Sequence, residues 1–168
     1  MSSMFDHETA AVSPPRPGPA GLLERASGIV RAVAQPDLTA LALRVALAVP
    51  FYKSGILKWD GFLQLSSSAS FLFASEFKLH IAGAQIGYPF PDVMAFAAGI
   101  GEIVLPILLV IGLFTRFAAL GLLVMTAIIQ LTVPSGWAIH LTWAAMALAI
   151  MALGPGRIAA DRFVPGLK

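Results

Sequence analysis

Residues Val93 to Val133 read VMAFAAGIGEIVLPILLVIGL, then FTR, then FAALGLLVMTAIIQLTV. Each apolar run is close to the ~20 residues that cross the ~30 Å hydrocarbon core of a bilayer as a helix. Only Phe114, Thr115 and Arg116 separate them, a turn so tight that the two helices must be antiparallel neighbours. One carboxylate, Glu102, lies inside the first run. Read outward, a further span runs from Leu38 to Leu57 (LTALALRVALAVPFYKSGIL), the least lipid-like of the set because it carries Arg44, Pro50 and Lys53. Another runs from Ala138 to Leu153 (AIHLTWAAMALAIMAL) and is reached through Pro134, Ser135 and Gly136. The spans are therefore predicted at 38–57, 93–113, 117–133 and 138–153.

Composition agrees. The chain is 58% hydrophobic and 12% charged, with a mean hydropathy of +0.83, whereas soluble domains carry about twice that share of charge. The expectation is an all-α membrane protein: an antiparallel four-transmembrane-helix bundle, with a tail at 1–37, a transmembrane domain at 38–157 and a second tail at 158–168. The first tail holds Pro14, Pro15, Pro17 and Pro19 and no signal-peptide core. It reads as disordered, followed by an amphipathic surface helix from about Gly21 to Val33. The chain has no cysteine, which excludes disulfides, thiolate metal sites and thiol redox chemistry. The basic residues are dispersed, so the net charge of +2 does not point to nucleic acid.

Charge sets the orientation. With the amino terminus inside, Arg16, Arg25, Arg31, Arg116, Arg157, Arg162 and Lys168 are cytoplasmic, while Lys58 and Lys78 are outside. Both termini are then cytoplasmic. The outer loop, 58–92, contains Phe71, Leu72, Phe73, Phe77, Leu79 and Ile81 and is too apolar for a solvated tether. Phe73, Phe77 and Ile81 repeat every four residues, which predicts an amphipathic helix. The alternation of Phe77, Leu79 and Ile81 also fits a strand, but a lone strand lacks a partner. Gly83, Gly87, Pro89 and Pro91 then read as the turn into the next span.

Ionisable groups inside a bilayer are costly and ask for a reason. Measured at ~1.5 Å per residue from the cytoplasmic ends, Arg44 lies ~9 Å deep, Glu102 ~16 Å, and Lys53 and Gln130 ~21 Å, with His140 near the outer boundary. Two readings follow, and they are compatible. Arg44 and Glu102 form a buried ion pair that locks the bundle. Alternatively, Glu102 exchanges protons in an outward-facing polar pocket that Lys53, Gln130 and His140 line, with Tyr52 and Trp137 as aromatic walls. Pro50, Pro106 and Pro134 free the carbonyls of Ala46, Glu102 and Gln130 as acceptors. His7, His80 and His140 are scattered, so no metal site is expected.

The combination resembles the DoxX family of small bacterial membrane proteins. The likeness rests on Arg44 followed by FYKSGILKW (Phe51 to Trp59), on GEIVLPILLVIGLFTRFAAL (Gly101 to Leu120), and on GPGRIAADRF (Gly154 to Phe163). It implies a four-helix membrane bundle in the bacterial inner membrane, with Arg44, Lys53, Glu102, Thr115 and Arg116 as the positions that matter. Thr115 would cap the third helix and Arg116 would reach inner-leaflet phosphates. The family is associated with thiosulfate:quinone oxidoreductase, oxidative-stress complexes and metal handling. Function is accordingly expected to be a redox-linked subunit that binds a quinone or similar hydrophobic carrier, with a partner protein at the outer loop supplying electrons. The alternatives are a non-enzymatic accessory or anchor for a partner complex, including metal-handling systems, and a small transporter. Small residues spaced four apart also allow a homo-oligomer.

Overall fold

The computed structural model describes residues 18–166, so the proline-rich stretch ahead of Gly18 lies outside the described residues. The chain divides into two units, Met1–Gln35 and Pro36–Lys168. The described part of the first is helix α1 (Pro19–Val33). Leu22, Leu23, Ile29, Val30 and Val33 share one stripe of α1 and are all exposed, opposite Glu24 and Arg31. That is the amphipathic pattern the sequence predicts for a surface helix.

The second unit is built from four long helices. They are α2 (Pro36–Ile56), α4 (Pro91–Ile111), α5 (Thr115–Thr132) and α6 (Trp137–Leu153), with the short α3 (Ser67–Phe71) between the first two. They enclose a core of Leu47, Phe51, Leu109, Leu122 and Ile150, filled out by Ala48, Ala118, Ala119 and Ala147. Three segments are long and apolar enough to cross a membrane: α4, α5 and Pro134–Leu153. A fourth is reached only when α1 and α2 are counted together. The shortfall of α2 has a chemical cause, since Asp37, Arg44 and Lys53 all lie within it.

Close contacts fix how the helices slide against one another. A Cβ on Gly55 of α2 would sit 3.0 Å from the backbone of Glu102 on α4, so the two helices meet there. Helix α2 ends one residue later, while α4 still runs from Gly101 to Pro91. Helix α2 is therefore displaced toward the end of the unit where Gly112 to Phe114 join α4 to α5, called here the turn end. The depth ladder drawn from sequence assumed level helix starts, and this displacement overturns it. Arg44 falls beside the last turn of α4, and Lys58, read as outside, falls beside Glu102.

The segment 57–90 fills the opposite, cap end. Strands β1 (Trp59–Gly61) and β2 (Gln64–Leu65) form a small hairpin, and Ser66 then caps α3 by accepting a bond from the Ala69 N–H. The Trp59 indole packs over Gly99, where a Cβ would lie 2.7 Å from the ring, and meets Phe96 edge-on. One π turn follows (Leu72–Glu76), burying Phe73. Next, β3 (Lys78–Ile81) pairs antiparallel with β4 (Ala84–Gly87).

The loop is thus only partly helical. The strand reading set aside for want of a partner is the correct one for Lys78–Ile81, because the partner follows two residues later. Ala82 and Gly83 both have positive φ, 49° and 84°, the conformation of a two-residue type I′ turn. Gly83 belongs to that turn and not to the lead into α4.

Candidate functional site

The main cavity, about 410 Å³, lies in the cap half of the unit. Pro50, Phe51 and Ser54 of α2, Met94, Ala97, Ala98 and Glu102 of α4, and Met125, Ile128, Ile129 and Thr132 of α5 form its walls. Trp143 of α6 closes one side, and Phe73, Phe77 and Tyr88 roof it from the cap. Its size falls within the ~300–1,000 Å³ usual for small-molecule sites.

Two polar features break this apolar lining. Lys58 Nζ lies 2.5 Å from Glu102 Oε2 and donates to Ser54 Oγ at 3.1 Å. This is the one salt bridge among the described residues, and both side chains are nearly buried, at 13% and 6% exposure. Across the cavity, Thr132 Oγ1 donates to the Ile128 carbonyl at 2.9 Å, so the 2.5 Å contact with Tyr88 is a bond donated by the phenol. An ammonium carries three donors. Two of those on Lys58 are engaged, by Glu102 and Ser54.

The expected site residues fare unevenly. Glu102 lines the cavity, yet its partner is Lys58 and the expected Arg44–Glu102 pair does not form. Lys53 and Tyr52 are exposed and line a separate shallow groove with Pro106, Ile107, Val110 and Ile111. Gln130 and His140 bond each other, with His140 Nδ1 2.7 Å from Gln130 Oε1, and neither lines the cavity. His140 is buried, with its ring 5.2 Å from that of Trp143 and tilted 46° to it, and Trp143 in turn lines the cavity. Trp137 is 59% exposed. Sequence reasoning missed Lys58, Ser54, Thr132 and Tyr88. A signal for the first two was present: Leu47, Phe51, Ser54 and Lys58 fall at helical spacing on one face. Lys53 lies on another face, with Val49 and Ile56.

Arg44 belongs to a second polar assembly at the turn end. Its guanidinium, with the residue 0% exposed, donates to the carbonyls of Leu109 and Val110 at 3.4 Å and to that of Ile158. Gly112 makes the approach feasible. It has φ of +77°, and a Cβ there would collide with the guanidinium and with Ala159.

The N-terminus of α5 is capped by the buried Asp161, whose carboxylate accepts the N–H groups of Phe114 (2.7 Å) and Thr115 (2.9 Å). Thr115 is therefore not the cap. It is the first residue of the helix, and its hydroxyl is buried without a partner. Arg116 is exposed at this end. Asp37 likewise accepts from the Arg157 N–H at 2.7 Å. The segment after α6, which includes the start of the expected tail at 158–168, folds back and ties three helix ends together. Asp161→Ala is expected to cost about 2 kcal/mol by leaving two N–H groups of α5 unpaired, read as a lower thermal midpoint in detergent.

A family model described as DoxX matches residues 39–135, from α2 through α5 and including the whole cap. The chain belongs to the DoxX family. An uncharacterized protein of Haemophilus influenzae is 25% identical over 139 residues, covering 74% of this chain and 82% of that one. No solved structure matches. The match takes in every cavity-lining residue except Trp143 and ends ahead of α6 and the segment that carries Asp161.

Proposed function

We propose that this DoxX protein spans a bacterial inner membrane as an antiparallel bundle of α2, α4, α5 and α6. The cap faces outward and both termini are cytoplasmic. Its cavity binds an apolar carrier with a carbonyl head, of the quinone kind. The observation that carries the reading is the Lys58–Glu102 pair set in a largely apolar cavity of ligand size. A buried charge pair is costly unless further bonds satisfy it, and a carbonyl oxygen on the third ammonium donor would add one. The turn end supports the orientation, since Arg116, Arg157 and Arg162 gather there.

In the redox form of this reading, a partner protein delivers two electrons to the quinone. Two protons complete the quinol, with Glu102 and Lys58 as the route for one of them. The cap supports a partner. Phe62 at 92%, Phe90 at 77% and Phe71 at 61% exposure are large apolar side chains on that surface. The same surface favours a second reading, an accessory protein that recruits its partner through the cap without redox work of its own.

The test uses protein reconstituted in quinone-free nanodiscs and titrated with a quinone while tryptophan emission is followed, because Trp143 lines the cavity. Saturable quenching is expected, lost in Trp143→Phe, weakened more than tenfold by Lys58→Met and unchanged by Lys53→Met. Quenching that rises linearly with quinone and is equal in all four proteins would sink the reading.

A further inference from the structure

The walls of the cavity are unequal. Residues from α2, α6 and the cap that line it are all buried or half-buried. The exposed lining residues are Ala97 on α4, Ile128 on α5 and Val133 just beyond the end of α5. Toward the turn end the same two helices are sealed. Leu105 fills the space over Gly121, where a Cβ would lie 2.8 Å from its side chain, and Met125 lies similarly close, 3.1 Å, to Gly101. One turn further along, the pairing sequence brings Ala97 and Ala98 opposite Ile128 and Ile129. There the seal stops and the cavity begins. Ala97 is ~9 Å from the cap end of α4 and Ile128 ~6 Å from that of α5, so these two exposed lining residues lie below the helix ends and within apolar helix surface.

Resting on the ligand-binding reading above, we propose that the cavity opens sideways into the outer leaflet between α4 and α5, and that its ligand is a tailed, membrane-dissolved lipid. The polar ring sits against Lys58 while the hydrocarbon chain passes between Ala97 and Ile128 into the bilayer. The shape of the lining favours this over a small water-soluble ligand. Access from water would have to pass Phe73, Phe77 and Tyr88, which are buried or half-buried, with Phe73 packed against the other two at 5.3 Å. At the gap the side chain on the α4 side is only a methyl, and the other wall is apolar, as a hydrocarbon chain requires.

The experiment compares two quinones with the same ring, one without a tail and one with a long isoprenoid chain, bound to full-length protein in nanodiscs. Ala97→Trp and Ile128→Trp narrow the gap from its two sides. Val104→Trp, on exposed α4 surface away from the cavity, is the control for folding and for lipid perturbation. The expected result is a more than tenfold loss of affinity for the tailed quinone in both gap variants. The tailless one should stay within about threefold, and the control should match wild type. Equal losses for both quinones would show that the chain does not use the gap, and no loss for either would overturn the proposal as well. If neither quinone binds the wild type, the ligand reading itself fails and the proposal falls with it.

Discussion

Arg44→Ala is expected to remove a large part of the stability of the helical unit. The guanidinium is fully buried, and three backbone carbonyls from α4 and the closing segment converge on it. Asp161 supplies the nearby opposite charge. Truncation removes the side-chain donor from these three carbonyls and the counter-charge from beside Asp161, in a site that water does not reach, and leaves a void the size of a long side chain. Removing one member of such a buried assembly costs about 3–5 kcal/mol, comparable to a large part of a domain's net stability. Arg44→Lys should recover little, because a compact ammonium lacks the planar fork that spreads across separate carbonyls. Thermal unfolding in mild detergent, followed by near-ultraviolet circular dichroism, reads the effect. A midpoint for Arg44→Ala within a few degrees of wild type would mean that the turn end does not depend on this residue.

The second large effect concerns the cavity pair, where structural and functional roles can be separated. Lys58→Met alone strands the Glu102 carboxylate, and Glu102→Leu alone strands the ammonium. Each is expected to cost about 3–5 kcal/mol. The double variant Lys58→Met/Glu102→Leu replaces the pair by apolar groups of similar volume, a change that is often neutral or stabilising. It should therefore melt near wild type, yet fail to bind a carrier through its carbonyl. A double variant as unstable as the singles would point to a structural need for charge at this place.

Much of the architecture was legible because lipid imposes simple rules. The run from Val93 to Val133 could only be two antiparallel helices, and the positions of α4, α5 and α6 follow from length and apolarity. What sequence did not reveal was relative sliding. Nothing in Leu38 to Leu57 states that Gly55 meets Glu102, and without that contact Lys53 is the nearer lysine by count. The cap was misjudged for a related reason. Ala82–Gly83 is a weaker hairpin signal than Asn–Gly, so the alternation at Phe77, Leu79 and Ile81 went without its partner strand. Asp161 illustrates a third limit. Its distance in sequence from Phe114 and Thr115 hid a cap that only the folded chain brings into place.

The most direct test is mass spectrometry of lipid-soluble molecules extracted from protein purified in mild detergent. It compares wild type, Lys53→Ala and the Lys58→Met/Glu102→Leu double variant. The expected result is a carrier with a carbonyl head, near-stoichiometric in wild type and in Lys53→Ala and absent from the well-folded double variant. A carrier retained by the double variant, or lost on changing Lys53, would contradict a site built on Lys58 and Glu102.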